Sequence, residues 1–306
     1  MRISACYIVK NEENNLPKSM NSLASIVDEI IVVDTGSTDK TVEIASSFGA
    51  RIYKQIWRDN FALHRNFALQ QATGDWIIFL DADEYFVNIE GLDVYLQRAD
   101  RFPACEGLLL PLLNINPDTD SGQPELIEKV LSLRVWRNKK NYRFTGCVHE
   151  QLYVSESGGN MRPLKTIVAH DKFTLHHTGY RRGVMKEKHE RYLEMLLAEM
   201  AQNGEQPLTA RYLADCYFGL GDYEQAAYYA SRAITREQQL GIVTVAGYYK
   251  LYRYWLEAGK KLCYTDKKLL SIAEKAITDT VKEGNGQAMY QFIDDLFVGT
   301  GLISER

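Results

Sequence analysis

The chain is 306 residues long, with 36 Lys and Arg against 40 Asp and Glu, a formal net charge of −4. That balance excludes the basic footprint of a dedicated nucleic-acid binder. Hydrophobic residues at 45% and charged residues at 25% exclude wholesale disorder. Apolar stretches such as Gly107–Leu113 fall far short of the ~18–20 residues of a transmembrane helix. The length favours two domains over one. The five cysteines are odd in number, scattered and never paired as C-x-x-C. A disulfide framework or structural zinc site is therefore not expected, and a reducing cytoplasm is the expected setting.

Arg2 precedes an apolar run that ends after Val9, too short for the core of a signal peptide, so Ile3–Val9 reads as a first strand. Leu16–Ile26 follows as a helix, with Asn15 as its cap. Glu29–Val33 is a second strand, closed by Asp34-Thr35-Gly36-Ser37. Asp39 opens a helix through Phe48 that Gly49 ends. Arg51–Gln55 reads as a strand, Asn60–Ala72 as a helix and Trp76–Leu80 as a strand. Strands alternating with helices predict a Rossmann-like α/β domain built on a parallel sheet. Gly107–Ile115, Ile127–Trp136, Arg143–Val154 and Thr166–His177 read as further strands, joined by loops at Pro117–Pro124 and Ser155–Asn160. From Val184 the chain reads as helix. Leu208–Thr235 has the spacing of a tetratricopeptide-like helix pair at Leu213, Ala214, Tyr217, Gly221, Ala226 and Ala233, with a weaker echo at Leu251, Tyr252, Trp255 and Gly259.

Asp81-Ala82-Asp83-Glu84 follows an apolar strand directly. Ligands of open α/β sheets bind beyond the carboxyl ends of strands, and paired carboxylates there suit Mg²⁺ or Mn²⁺ shared with a diphosphate. Asp34 ends the second strand on the same sheet edge, placed to accept from a nucleoside or to shape its own turn. Arg65, in His64-Arg65-Asn66, is either a base or phosphate contact or an exposed helix arginine.

Val33-Asp34-Thr35-Gly36-Ser37-Thr38-Asp39, Arg65-Asn66 and Gly74–Glu84 together resemble glycosyltransferase family 2, the inverting enzymes of GT-A fold, and Tyr7-Ile8-Val9-Lys10-Asn11-Glu12 is similar too. A subset of that family appends a tetratricopeptide-like tail. The resemblance implies a GT-A domain over residues 1–183, a mixed sheet within it, and an all-α repeat-like domain over 184–306. It implies a nucleoside-diphosphate sugar donor, a UDP-sugar first among them. Asp34 would contact the nucleoside, with Val9 and Glu12 lining the pocket and Arg65 near the nucleotide. Asp81 would lie near the donor ribose or sugar, and Asp83 would ligate Mn²⁺ or Mg²⁺.

The segment Gly146-Cys147-Val148-His149-Glu150 resembles the Gly-x-x-His-Glu element of the tail-bearing subset. Inverting transfer needs a base on the acceptor, and a carboxylate in a partly buried strand suits it. Glu150 is the first candidate and His149 the second. His176-His177-Thr178-Gly179-Tyr180 resembles the family's His-x-Gly-Tyr element, implying His177 in the metal shell or on the diphosphate. Arg181 and Arg182 are candidates to neutralise that diphosphate or are plain helix entry, and His170 reads as a strand histidine. Cys147 beside His149 does not suggest a thiol enzyme, because inverting transfer forms no adduct. Ten of the 19 tyrosines fall between Tyr212 and Tyr264, as interhelical packing or as a peptide groove. The acceptor stays open among a glycan, a lipid-linked glycan and a peptide or protein. A cytoplasmic enzyme, peripheral at the inner membrane face or free of it, is expected, with no nucleic-acid partner. Two alternatives remain: a nucleotidyltransferase, and a helical-repeat scaffold with a vestigial catalytic domain.

Overall fold

The computed structural model describes residues 1–117, 119, 123–169, 171–179, 185–241, 247–282 and 284–297. His170, Tyr180, Arg181, Arg182 and Val184 lie outside the described residues. The chain divides into two compact units, Met1–Val184 and Met185–Arg306. Among the described residues no helix is long and apolar enough to cross a membrane.

The first unit opens with β1 (Ile3–Val9), α1 (Leu16–Leu23), β2 (Glu29–Asp34), α2 (Thr41–Ser47), β3 (Arg51–Lys54), α3 (Phe61–Gln71) and β4 (Trp76–Phe79). These four strands run parallel in the order β3-β2-β1-β4. Their near-continuous apolar runs reflect burial on both faces: Ile31, Val32, Val33, Ile77, Ile78 and Phe79 are fully enclosed. The expected helix ends shift by one to three residues. Asn60 caps α3, its side chain accepting from Leu63 N–H at 2.8 Å. Asn15 stands at the N-cap of α1 as expected, but its side chain accepts no cap hydrogen bond and its amide donates to Glu12 instead, at 2.8 Å. Asp39 precedes α2 and accepts from the N–H and hydroxyl of Thr41.

The remaining strands make the sheet mixed. β5 (Glu84–Phe86) and α4 (Leu92–Ala99) precede the long strands β6 (Gly107–Asn116) and β7 (Glu125–Arg137), and β7 pairs antiparallel with both β4 and β6. The expected single strand Arg143–Val154 is a hairpin of β8 (Tyr142–Thr145) and β9 (Gln151–Ser155), completed by β10 (Met161–Pro163) as a separate three-stranded sheet. Gly146 at φ 97° and His149 at φ 51° turn the chain there, which an extended strand cannot do. Thr166–His177 also splits, into β11 (Thr166–Val168), a short 3-10 turn at Asp171–Phe173, and β12 (Leu175–His177). Both β11 and β12 run parallel to β6, and β12 is antiparallel to β5.

The second unit contains α5 (Met185–Asn203), α6 (Thr209–Leu220), α7 (Tyr223–Leu240), α8 (Tyr249–Lys261), α9 (Asp266–Lys282) and α10 (Gly286–Phe297). Ala210, Ala214, Ala230, Ala233 and Ala276 are buried where helices pack, joined by Leu251, Tyr252, Leu256 and Met289. Gly221 adopts the left-handed C-cap conformation between α6 and α7, and Asp222 then caps α7 through Gln225 N–H. Arg211 and Glu237 form a buried bidentate pair at 2.9 and 2.6 Å. Of the ten tyrosines from Tyr212 to Tyr264, Tyr228 alone is classed as exposed, at 53%. Packing accounts for the others, as in Tyr217 stacked on Tyr229 and Tyr254 on Phe218.

Candidate active site

The loops after β1, β2 and β4 share the carboxyl edge of the parallel strands. Val9 pairs with Asp34 in register. The Val9 side chain belongs to the core, while its carbonyl accepts from the N–H and hydroxyl of Thr35 at 2.9 and 3.1 Å. Asp34 is 3% exposed, and its Oδ1 accepts from Ser37 N–H at 3.0 Å across the turn that Gly36 makes at φ 107°. Asn11 stitches the first loop to the second, its N–H donating to Ser37 Oγ and its Oδ1 accepting from Thr38 N–H. Glu12 N–H donates to Thr41 Oγ1 at 2.7 Å. The Glu12 carboxyl is pushed up to about 7, by burial first and then by the charges of Asp83, Asp81 and Asp39, against the Asn15 hydrogen bond. Glu12 therefore lies within electrostatic reach of the loop after β4, while Val9 and Asp34 are fastened into the turn after β2.

Arg65 is not an exposed helix arginine. It lies buried over the face of Phe79, 4.5 Å from the ring centroid. Its Nη2 donates to Asp81 Oδ1 at 2.7 Å and its Nε donates to Glu150 Oε1. One guanidinium thus joins three of the residues singled out in the sequence. Glu150 lies in the connection between β8 and β9, and not in a strand as expected. Asn66 holds the end of β8 that leads into that connection to α3, donating to the Phe144 carbonyl at 2.9 Å and accepting from its N–H at 2.8 Å. Phe61 N–H donates to the Cys147 carbonyl at 2.8 Å. His149 is exposed.

Two further residues complete the ionic cluster. Glu84 is fully buried and takes a bidentate contact from Arg134, Nε to Oε2 at 2.7 Å and Nη2 to Oε1 at 2.6 Å. The same Nη2 lies 3.6 Å from Asp81 Oδ2. Leu108 faces Val135 and Leu109 faces Leu133, so Arg134 is the extra residue of a β-bulge, the device that re-aims a side chain. Burial would raise the Asp81 carboxyl, but Arg65, Arg134 and His177 outweigh it and hold it well below the usual carboxylate range. Arg134 was not singled out in the sequence. Its local signal was weak, because β7 also carries Glu125, Glu128, Lys129 and Arg137.

Asp83 and His177 face each other, with Nε2 3.3 Å from Oδ2. Thr178 secures the Asp83 carbonyl with its N–H at 3.0 Å and its hydroxyl at 3.1 Å. Burial lowers the affinity of His177 for a proton, but the Asp83 hydrogen bond and the charges of Asp83, Glu84 and Asp81 raise it overall. Gly179 keeps this space open: a Cβ there would stand 2.5 Å from Asp83 Oδ2 and 2.6 Å from His177 Nε2. The 3.3 Å spacing is close to the ~3.0 Å between neighbouring ligand atoms of an octahedral ion with bonds of about 2.1 Å. The pair therefore fits a divalent cation. Among the described residues no group of three or more His, Cys, Asp or Glu side chains surrounds a metal position.

The family model for glycosyl transferase family 2 matches residues 4–93, the stretch from β1 into α4. A TPR repeat-containing protein of Synechococcus elongatus is 31% identical over 232 residues, covering 74% of this chain and 54% of its own. An uncharacterized glycosyltransferase of Rickettsia bellii is 45% identical over 83 residues, 27% of this chain and 28% of its own. The SPbeta prophage-derived glycosyltransferase SunS of Bacillus subtilis is 29% identical over 157 residues, 49% of this chain and 34% of its own. The chain thus spans about half the length of the first of these relatives and about a third or less of the others.

Proposed function

We propose, from the premise that the chain belongs to glycosyltransferase family 2 through residues 4–93, that it is a metal-dependent inverting glycosyltransferase acting on a nucleoside-diphosphate sugar. The observation that carries this reading is the cluster in which Arg65 joins Asp81 to Glu150 while Asp83 faces His177. An acid-rich sheet edge with two fixed arginines suits a ligand that brings both a cation and a diphosphate.

In this reading Asp34 accepts from the nucleoside and Glu12 borders its pocket. Asp83 and His177 would hold Mn²⁺ or Mg²⁺. When bound, the ion stabilises negative charge on the departing diphosphate. Asp81 stays ionised beside the sugar because Arg65 and Arg134 flank it. Glu150 takes the proton from the acceptor hydroxyl or thiol as that atom attacks the anomeric carbon opposite the leaving group. Arg65 occupies Glu150 in the free protein and must yield part of that contact when the acceptor arrives. UDP-sugars are the first donors to try. The acceptor is a glycan, a lipid-linked glycan or a peptide, in the cytoplasm or at the inner face of its membrane.

A thermal-shift panel of nucleotide sugars, with and without Mn²⁺, tests the reading. A ligand bound only to the native state stabilises it by mass action, about 2.7 kcal/mol at one hundred times Kd. We expect one nucleotide family to raise Tm only in the presence of the ion. A Tm unmoved by every donor in excess Mn²⁺ would overturn the proposal.

A further inference from the structure

Four strands bring four polar residues into one row. Glu84 on β5 pairs with His177 on β12, His177 with Asn114 on β6, and Asn114 with Glu128 on β7. Directly opposed residues share a face, so the side chains of this row stand side by side. Asn114 is 4% exposed, an unusual place for an amide unless its donors and acceptors are used. Its Nδ2 lies 3.3 Å from Glu128 Oε2, and its Oδ1 lies 2.9 Å from His177 Nδ1.

Donor and acceptor chemistry then runs in one direction along the row. A carboxylate only accepts, so the Asn114 NH₂ group faces Glu128 and its carbonyl oxygen faces the imidazole. That oxygen also only accepts, so His177 Nδ1 carries a proton. The other nitrogen, Nε2, faces the Asp83 carboxylate at 3.3 Å, where it donates in the metal-free ring and would lose that proton when a cation takes the place between them. A ligating histidine needs one nitrogen tethered as donor and the other turned toward the ion.

We propose that Asn114 is a positioning residue that fixes the tautomer and tilt of His177, and so sets the affinity of the Asp83–His177 pair for a divalent ion. This rests on the metal-dependent reading above. Neither the tautomer nor the affinity depends on which sugar or acceptor is used.

The test uses the full chain and Mn²⁺ alone. Long-range proton–nitrogen NMR reports the His177 tautomer without metal, and the free-ion EPR signal reports Mn²⁺ binding. The wild-type ring should carry a proton on Nδ1, whether or not Nε2 is protonated as well. In Asn114→Ala the ring should populate both tautomers, and Mn²⁺ affinity should fall about 10–100-fold, the usual effect of removing such a partner. Asn114→Asp combined with Glu128→Gln keeps the charge and restores the direction of the row, and should return the affinity to within a few-fold of wild type. If Asn114→Ala fails to fold, the double variant and the wild-type spectrum still decide, and a wild-type ring protonated only on Nε2 overturns the proposal. Unchanged affinity in a folded Asn114→Ala, with binding lost in His177→Ala, overturns it while leaving the metal reading standing. A wild-type chain that binds no Mn²⁺, with its ring held in the Nδ1–H form, would instead sink the metal reading and the affinity claim together.

Discussion

Arg65 and Glu150 stand 85 residues apart in sequence and are joined directly, Nε to Oε1, inside the first unit. The same guanidinium donates to Asp81, so the cation stands between the acid assigned to the donor sugar and the acid assigned to the acceptor. Glu150→Gln keeps the shape of this contact and removes the base. Donor binding should stay within a few-fold while turnover falls by roughly 10²–10⁴, the usual share of general acid–base catalysis. Wild-type turnover in this variant would move the base elsewhere, with His149 next.

Arg134 tests whether the cluster is structural as well as chemical. Arg134→Leu strips the partner from Glu84, a carboxylate with no exposure. Breaking a buried pair from one side costs about 3–5 kcal/mol. Denaturant unfolding should show a loss of that order. Replacing both partners with apolar residues should recover part of it, since no charge is then left unpaired.

Asp83→Ala separates ion binding from folding. Its side chain is one-quarter exposed, so the fold should survive with little loss of stability. Nucleotide-sugar turnover should disappear, and Mn²⁺ should no longer raise Tm in the presence of donor. Full activity of the wild-type chain in excess EDTA would contradict the assigned role.

The Glu12 carboxyl gives the metal-free protein a pH signature. Its folded value of about 7 lies above the ordinary glutamate value of about 4.5, so the folded state holds the proton more tightly than the unfolded chain. Its contribution to stability is present below pH ~4.5 and is lost as pH rises through about 7, by up to about 2–3 kcal/mol. His177, also raised, declines in the same direction at the upper end of that window. Asp81, held low, acts with the opposite sign and only in more acid solution. Comparing Glu12→Gln with wild type in EDTA at pH 5 and pH 8 isolates Glu12. The variant should lose less stability between those two pH values, and equal losses would refute the assignment.

Much of the first unit was legible because its parallel strands are continuous apolar runs and its helices carry clear periods and caps. Asp34, Asp81 and Asp83 follow strand ends, where a buried sheet must hand over to polar chain, so their place could be read directly. Legibility fails where pairing is set by distant segments. The turn at Gly146–Glu150 interrupts an apolar stretch with no Pro and one Gly, and reads as continuous strand. Arg134 depends on a bulge, which breaks the period-two pattern that strand reading relies on. Asn114 and Glu128 acquire meaning only through register with His177, a relation that no local pattern encodes. β5 and β10 are three residues each, too short to register as periodic.

The two hydrogen bonds between Asn66 and Phe144, with the third from Phe61 to Cys147, have a mechanical consequence. They make α3 a common chassis for both halves of the reaction centre. Arg65 rides on this helix, and the turn that carries Glu150 is fastened to it at Cys147, with β8 held at two further points just before the turn. The separation of the two side chains is therefore indexed to one helix, to which the β8 strand of the small sheet is itself fastened. Lengthening the turn between Cys147 and Glu150 by one residue would shift Glu150 relative to that helix, whereas the same insertion at Gly158-Gly159 would be absorbed outside it.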